Sequence, residues 1–391
     1  MLFVIRQAPA AARIAVVLLL TAALAFTVGL LAGGDQRASG LDTGSSTRII
    51  EAELVTSSEG WALSDTGLSW TDDAGSSWTS ITPPVSASAI RSVAFDSSGN
   101  GWVAAPSEVD EAGRPSMQVY STSDRGQSWT NSTLPSKVQL TVGGISTSFA
   151  DPKSGWVLAG EETSAAVSVG HLYATSDGGA SWQTLPDPPV AGKIRFYSSS
   201  NGWLAGGVGG GDLYSTDDGG YSWTRVEVKP PEGVAGEASY GLPRISADGT
   251  GSLPVTFTDE EGDATVGVYA TTDAGASWSL ITAIPLNGSI GPGTVPPVAA
   301  FAGDEEVLIS DPGSAELVRV DVSPTERSAP SERTISPAGL TAFAPLDFAG
   351  SEAGIAVLNE EVCEEKAECR VQSTLLVTQD GGESWQQSRT P

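Results

Sequence analysis

TSDGGASW at residues 175–182 is one of six copies of an eight-residue motif, and the repetition of this motif decides the fold. Its pattern is Thr-x-Asp-x-Gly-x-Ser-Trp, and the Asp residues of successive copies are separated by 51, 53, 41, 55 and 107 residues. The last spacing is about twice the others, which predicts a further unit without the motif. ISDPGSAE at 309–316, which keeps Asp311 and Gly313, is the candidate remnant. The defining residues are Asp73, Gly75, Trp78, Asp124, Gly126, Trp129, Asp177, Gly179, Trp182, Asp218, Gly220, Trp223, Asp273, Gly275, Trp278, Asp380, Gly382 and Trp385.

A second motif alternates with the first. Gly-Trp pairs occur at 60–61, 101–102, 155–156 and 202–203, with weaker versions at 249–257, 303–310 and 350–358. Seven units over residues 48–391 leave about 49 residues each, which is the size of one four-stranded propeller blade. Apolar and polar residues alternate in short runs between Gly-, Asp- and Pro-rich turns. The sequence therefore predicts an all-β, seven-bladed β-propeller, in which RIIEAELV at 48–55 supplies an outer strand to the last blade.

The N-terminal region predicts export. IAVVLLLTAALAFTVGLLA at 14–32 is a run of 19 residues without a charge, and Arg6 and Arg13 precede it. Such a run nearly spans a bilayer core as a helix, and the preceding cations favour a cytoplasmic N-terminus. We expect a short cytoplasmic segment (1–13), a transmembrane anchor (14–32), a linker (33–47) and an extracytoplasmic propeller (48–391). The alternative is a cleaved secretory signal, which would make the protein secreted.

Composition excludes several classes of function. The net charge is −27, with 47 acidic and 20 basic residues, so the surface repels nucleic-acid phosphates and anionic lipid headgroups. The chain has one histidine, His171, and two cysteines, which argues against zinc sites built from His and Cys. We expect no cofactor and no metal, and interpret His171 as an exposed loop residue. DEEGD at 259–263 is interpreted as a hairpin tip in preference to a calcium site.

Cys363 and Cys369 are separated by EEKAE and flanked by strand-like runs. Two cysteines near a hairpin tip can reach disulfide geometry, and an oxidising compartment favours the bond. Four neighbouring Glu residues would raise the pKa of a thiol, which argues against the redox-active alternative. We therefore predict a local structural disulfide.

The eight-residue motif resembles the Asp-box, or BNR, repeat of sialidases, sortilin-type receptors, xyloglucan-degrading hydrolases and Ycf48-like photosystem II assembly factors. A single ring behind an export segment is most similar to the Ycf48-like group within the sialidase-like superfamily. The resemblance implies that the Asp-boxes lie at the blade periphery. Physically, the Asp side chain can accept backbone N–H groups of its turn, the Gly supplies a positive φ, and the Trp buries its ring. The six Asp residues are therefore interpreted as structural.

The sialidase resemblance implies an arginine triad, a tyrosine nucleophile and an acid/base carboxylate. The family's Arg-Ile/Leu-Pro element is absent, and five of the seven tyrosines follow the repeat. Tyr197 and Tyr240 are the two that the repeat does not explain. GGVGGGD at 206–212 is predicted to be a hairpin tip and not a phosphate-binding loop, because no helix follows it.

Two segments that break the repeat, 229–244 and 321–340, are candidate partner-contact loops. The basic residues in or beside them are Arg244, Arg319, Arg327 and Arg333. We predict a non-catalytic scaffold that binds a protein partner at or near the membrane. The alternative is a carbohydrate-binding protein or glycoside hydrolase that uses the propeller funnel. Facing carboxylates and aromatic walls in the funnel would favour that alternative, whereas a Ser-, Thr- and Gly-lined funnel would count against it.

Overall fold

The fold is taken from a computed structural model. It describes residues 47–109, 115–135, 144–161, 169–289, 299–311, 317–322, 332–335, 346–362, 370–389 and 391. The predicted anchor at 14–32, the linker, Arg327, Cys363 and Cys369 lie outside these ranges, so the anchor and the disulfide stay predictions. Within the same ranges, no helix is long and apolar enough to cross a membrane.

The described residues form seven antiparallel sheets of consecutive strands, which confirms the all-β, seven-bladed propeller. The innermost strands are β1 (Ile49–Leu54), β5 (Ser92–Phe95), β9 (Ile145–Phe149), β13 (Gly192–Phe196), β17 with β18 (Glu237–Tyr240, Arg244–Ile245), β22 (Ala299–Ala302) and β26 (Leu346–Ala349). The second strands are β2 (Gly60–Ser64), β6 (Gly101–Val109), β10 (Gly155–Glu161), β14 (Gly202–Gly206), β19 (Gly251–Thr258), β23 (Glu306–Ser310) and β27 (Ala353–Val362). The Gly-Trp motif and its weaker versions therefore mark the second strand of each blade.

The Asp-boxes lie in the outer half of six of the seven blades. The third strands are β3 (Leu68–Thr71), β7 (Pro115–Thr122), β11 (Val169–Thr175), β15 (Asp212–Thr216), β20 (Asp263–Thr271), β24 (Leu317–Asp321) and β28 (Arg370–Thr378). The fourth strands are β4 (Thr79–Ser80), β8 (Thr130–Thr133), β12 (Gln183–Thr184), β16 (Thr224–Val226), β21 (Ser279–Ser289), β25 (Glu332–Ile335) and β29 (Gln386–Gln387). In six blades the Asp-box forms the turn between the third and fourth strands.

The blade-3 Asp-box shows why its residue types recur. Asp177 Oδ1 accepts the Thr175 hydroxyl at 2.7 Å and the Ser181 N–H at 2.9 Å, while Oδ2 accepts the Ser181 hydroxyl at 2.6 Å. The Gly179 N–H donates to Thr175 Oγ1 at 3.0 Å, with Gly179 at φ 92°. These hydrogen bonds hold the pKa of the Asp177 carboxyl below its usual range. Asp177 thus holds the backbone of its own turn, and Gly178, the residue before Gly179, is left-handed as well, at φ 74°.

Aromatic rings connect successive blades from blade 1 to blade 5. Phe196 of blade 4 stacks on Trp156 of blade 3, with ring centroids 3.8 Å apart, and meets Trp223 edge-on at 6.1 Å. The Trp156 indole N–H donates to the Gly219 carbonyl of the blade-4 Asp-box at 2.9 Å. Gly202 lies under the Phe196 ring, since a Cβ there would be 2.4 Å from Phe196 Cδ1. The Phe and the Gly-Trp pair thus form one packing unit across two blades.

The prediction for the N-terminal segment 48–55 is wrong. β1 is the innermost strand of blade 1, and β29 is the outer strand of blade 7, so every blade is contiguous in sequence. The ring closes through side chains: Ala52 and Leu54 pack in one core with Ile355 and Val357 of blade 7. Alternation in this strand leaves apolar residues for that core and charged residues for the centre of the ring.

The remnant motif at 309–316 is also misassigned. This segment follows β23, the second strand of blade 6, whereas an Asp-box would lie between β24 and β25, in residues 322–331. Asp311 is buried, and its Oδ2 accepts the backbone N–H of Asn287 at 3.1 Å and the side-chain amide of Asn287 at 2.8 Å. Asp311 therefore ties blade 6 to blade 5.

Candidate functional site

The innermost strands enclose a central cavity of about 1090 Å³, which we call the funnel. Its lining is rich in charge. The charged residues that line the funnel are Glu51, Glu53, Lys193, Arg195, Arg244, Asp304 and Asp347.

One position of the innermost strand, which we call the ring position, occurs at a constant spacing in all seven blades. In blades 1 to 4 it lies seven residues before the Gly of Gly-Trp, as Glu53 lies before Gly60 and Arg195 before Gly202. The strand register extends the equivalence to blades 5 to 7, where the residue after the ring position pairs with Gly251, Val307 and Gly354, as it pairs with the Gly of Gly-Trp in the other blades. In blade order the ring position is occupied by Glu53, Ala94, Ser148, Arg195, Arg244, Ala300 and Asp347.

Charge is segregated around the ring. Asp347 and Glu53 occupy the ring position in blades 7 and 1, which adjoin where the ring closes, and Arg195 and Arg244 occupy it in blades 4 and 5. Two residues earlier in the strands, Glu51 of blade 1 and Lys193 of blade 4 repeat the same polarity. In a ring of seven, blade 4 lies across from the junction of blades 7 and 1. The funnel therefore has an acidic wall (Glu51, Glu53 and Asp347) and a basic wall (Lys193, Arg195 and Arg244).

The acidic wall holds a proton at neutral pH. Burial, the largest cause, and the negative charges of Asp347 and Glu51 together raise the pKa of Glu53 to about 8, against the opposing charge of Arg195. The Trp61 indole N–H, across the strand pair from Glu53, also lowers the pKa, although it is not placed to complete a hydrogen bond. Glu53 is accordingly a neutral acid near pH 7, able to donate a hydrogen bond or release a proton.

The other two acids are perturbed in the same direction. Burial raises the pKa of Asp347, although the Leu54 N–H, 3.2 Å from Asp347 Oδ2, and Arg195 favour its charged form. Burial also raises the pKa of Glu51, opposed by Lys193. Glu51 touches the water of the cavity, so its desolvation comes from the surrounding wall and not from packing.

The two walls influence each other electrostatically without touching. Among the described residues, no ion pair within 4.0 Å joins Lys193 or Arg195 to Glu51, Glu53 or Asp347. Arg244 instead pairs with Asp304 of blade 6, Nε to Oδ1 at 3.1 Å. Opposite charges that line one cavity and do not neutralise each other directly leave room for a ligand between them.

Blade 3 shows what the ring position does when it carries no charge. The Ser148 hydroxyl accepts the N–H of Phe196 in the next blade at 2.9 Å. Asp347 Oδ2 accepts the equivalent N–H of Leu54. A serine therefore satisfies the structural role of this position, and the carboxylate of Asp347 adds charge that the fold does not need.

The aromatic lining meets the criterion for carbohydrate recognition only partly. Phe95 and Phe348 are buried in cores between blades and present little ring face to the funnel. The Tyr197 hydroxyl donates to the Pro243 carbonyl, and burial raises its pKa. The partly exposed rings of the lining are those of Tyr197, Tyr240 and Phe301. The funnel thus supplies carboxylates but few open aromatic faces.

The predicted partner-contact arginines are dispersed. Arg244 lies in the funnel, because segment 229–244 supplies the divided inner strand of blade 5 instead of a rim loop. Arg319 bonds to the Gly381 carbonyl and Glu306, so its guanidinium connects blade 6 to the Asp-box of blade 7. Arg333 lies on β25. These contacts do not test the predicted partner role.

His171 is not the exposed loop residue that the sequence predicted. It lies within β11, its side chain is 14% exposed, and Nδ1 is 2.9 Å from Asp187 Oδ1. The alternation of GHLYAT places it on a packed strand face. The segments 206–212 and 259–263 are hairpin tips, as predicted. The described residues contain no group of three His, Cys, Asp or Glu side chains that could hold a metal ion.

Sequence reasoning missed Glu51, Glu53, Asp347, Lys193 and Arg195, although a signal was present. In blades 1 to 4 the seven-residue spacing to the Gly of Gly-Trp marks the ring position in the sequence alone, whereas blades 5 to 7 need the strand register. The charges become visible when one asks how the residue at that position differs from repeat to repeat. A search for residues that recur in every repeat finds only the Asp-boxes. Tyr197 and Tyr240, which the repeat left unexplained, do line the funnel.

Comparison with known proteins supports the fold and leaves the activity open. Residues 66–202, about a third of the chain, match the Sortilin-Vps10 family model, described as sortilin, neurotensin receptor 3. A comparison with curated protein sequences finds no match. The structure resembles the GH74 enzyme of Niastella koreensis, with a TM-score of 0.53 and 12% identity over 89% of this chain and 67% of that one.

A second solved structure likewise supports the fold and leaves the activity open. A prolyl endopeptidase gives a TM-score of 0.51 at 8% identity, over 88% of this chain and 48% of that chain. Two proteins with such different names share the architecture, so these likenesses show the β-propeller fold and no particular chemistry.

Proposed function

We propose that this chain is an exported, non-catalytic binding propeller that takes a polar, charged segment of a protein partner into its funnel. The observation that carries the proposal is the unneutralised pair of charged walls at the ring position. Buried charges cost stability unless something compensates for them. Serine at the same position of blade 3 satisfies the fold, so the charges are better explained by a ligand than by folding.

Two further observations support a binding role. The family model that matches residues 66–202 is described as a receptor. The apolar run at 14–32 supports attachment to the outer side of a membrane, which would hold the funnel close to membrane-associated partners. Both belong to the proposal and await direct tests.

The test is chemical cross-linking of the full-length protein in its native membrane, followed by mass spectrometry of bound species. Three forms are compared: wild type, a double variant Arg195→Ser with Asp347→Ser, and a rim variant Arg125→Gln. Arg125 lies in the blade-2 Asp-box and pairs with Glu59 at 2.7 Å, away from the funnel charges. We expect one stoichiometric protein partner that is retained by the rim variant and lost from the double variant. No partner in any form, or a partner indifferent to the double variant, would contradict the proposal.

A second candidate function is supported by the carboxylates themselves. A neutral Glu53 beside Asp347 has the pairing of acid and carboxylate that glycoside hydrolysis uses. Purified propeller would be screened against oligosaccharides for binding and release of reducing ends. Hydrolysis that is abolished by Glu53→Gln would replace the non-catalytic proposal with this one.

A further inference from the structure

The segregation of charge in the funnel restricts the chemistry of its ligand. The acidic wall comes from blades 7 and 1, the basic wall from blades 4 and 5, and the described residues between them at the ring position are Ala94, Ser148 and Ala300. A uniformly anionic ligand would satisfy the basic wall and be repelled by the acidic wall. A uniformly cationic ligand would meet the reverse problem. Only a ligand with both signs, separated along its length, satisfies both walls at once.

We infer, resting on the proposed funnel-binding function, that the ligand is a dipolar peptide segment: its cationic group lies against Glu53 and Asp347, and its anionic group lies against Lys193 and Arg195. A cationic group placed between Glu53 and Asp347 favours the ionised form of Glu53, so binding should also release a proton from Glu53.

The proton release follows from the groups that face Glu53. Asp347 from blade 7 and Glu51 from its own strand raise its pKa, whereas Arg195 from blade 4 lowers it. Lys193 acts mainly on Glu51, and Arg244, itself held by Asp304, acts on Asp347. No described cation lies within ion-pair distance of Glu53. A ligand cation delivered there stabilises the carboxylate, so Glu53, protonated near pH 7, gives its proton to solvent.

Arginine or lysine can supply the cation, and aspartate or glutamate the anion. Guanidinium and ammonium groups both donate hydrogen bonds to carboxylates, and the basic wall offers a guanidinium fork and an ammonium to a carboxylate. The cavity of about 1090 Å³ admits a segment of several residues. The ligand offsets part of the cost of desolvating both walls. Affinity should therefore require one positive and one negative charge on the ligand, and not merely a particular net charge.

The test uses blocked peptides and the purified full chain in detergent. Four probes with acetylated N-termini and amidated C-termini isolate side-chain charge: Lys-Gly-Asp, Lys-Gly-Lys, Asp-Gly-Asp and Gln-Gly-Asn. Each is measured by titration calorimetry at pH 7.0 in two buffers of different ionisation enthalpy, which counts the protons released. Probes with no Gly and with two Gly residues between the charges vary the span.

We expect at least one dipolar probe to bind about tenfold or more tightly than each of the three probes that are not dipolar. Binding of that probe should release up to about one proton from the protein, since a group with a pKa near 8 is mostly protonated at pH 7.0. Glu53→Gln should remove the proton release, and Arg195→Ser should remove the preference for the anionic end. Lys153→Gln, which removes an exposed cation outside the funnel, should change neither.

Two results would overturn the inference. The first is equal binding of the dipolar, cationic and anionic probes, or no binding of any of them at millimolar concentration. The second is proton release that Glu53→Gln leaves unchanged. If either occurs while the cross-linked partner still depends on Arg195 and Asp347, the funnel-binding function survives and only the dipolar ligand fails. Thermal unfolding of each variant verifies that lost binding is not lost folding.

Discussion

The rim and the centre of this propeller are built from the same repeat, yet the same residue types recur from blade to blade at the rim and differ from blade to blade at the centre. At the rim, six turns carry the same Thr, Asp, Gly and Trp with the same hydrogen bonds, as Asp177 and Ser181 illustrate. At the ring position, equivalent backbone sites carry Glu53, Ser148 and Arg195. Residues that recur within a chain serve what every blade needs, which is folding. Residues that differ at an equivalent site serve what the molecule does once.

The largest effect expected on folding comes from the aromatic unit that joins the blades. Phe196→Ala removes a buried ring stacked on Trp156 and should lower the free energy of unfolding by about 3–5 kcal/mol. Denaturant unfolding measures it. The matched control is Phe301→Ala in blade 6, a half-buried ring at the same strand position, where we expect a clearly smaller loss. Equal losses would mean that the stacking is not what holds the blades together.

The rim and the funnel should also respond to pH in opposite senses. Hydrogen bonds lower the pKa of Asp124, Asp218 and Asp273 to about 2, so their contribution is complete above the ordinary value of 3.8 and lost as pH falls toward 2. The pKa of Glu53 is raised from 4.5 to about 8, so the folded state binds more protons in that window and stability falls as pH rises from 4.5 to 8.

Unfolding of wild type and Glu53→Gln across pH 2–9 separates the two contributions. The variant should lose the Glu53 part of the decline between pH 4.5 and 8, leaving what Asp347 and Glu51 contribute, while keeping the acid limb below pH 4. If both forms show the same decline at neutral pH, Glu53 does not carry the raised pKa.

The smallest effect should come from a single rim turn. Asp177→Ala removes three hydrogen bonds from an exposed turn and should cost about 1 kcal/mol, because water replaces much of what is lost. Binding of the cross-linked partner should not change. A stability loss as large as that of Phe196→Ala, or a loss of partner, would contradict a purely structural role for the Asp-box.

Much of the fold could be predicted from sequence because the repeat is nearly explicit. Blade number, the second strand at each Gly-Trp and the Asp-box turns follow from spacing and turn chemistry. The origin of blade 1 could not be predicted, since β1 reads equally well as an inner or an outer strand and only packing against Ile355 and Val357 decides. The missing Asp-box was misplaced because Asp311 and Gly313 match the motif by chance.

The candidate site was less predictable for a physical reason. Charged residues in an acidic chain look like ordinary surface residues, and only the closure of the ring places Glu53 and Arg195 across one cavity. Arg244 was selected as basic and repeat-breaking, yet its place in the funnel depends on β17 and β18 dividing the inner strand. Only the strand register, which the structure provides, shows that these seven residues occupy equivalent positions around one cavity.

The most direct test of partner binding in the funnel places the same photoreactive probe at one position inside the funnel and at one position outside it. A photoreactive lysine analogue is incorporated at Lys193, in the funnel, or at Lys153, an exposed residue of blade 3 whose carbonyl accepts the N–H of Gly178 in the Asp-box. Both proteins are irradiated in the native membrane, and captured species are identified by mass spectrometry. We predict capture of one protein partner from position 193 and none of it from position 153. Capture of the same partner from 153 alone would place binding on the rim and contradict the account.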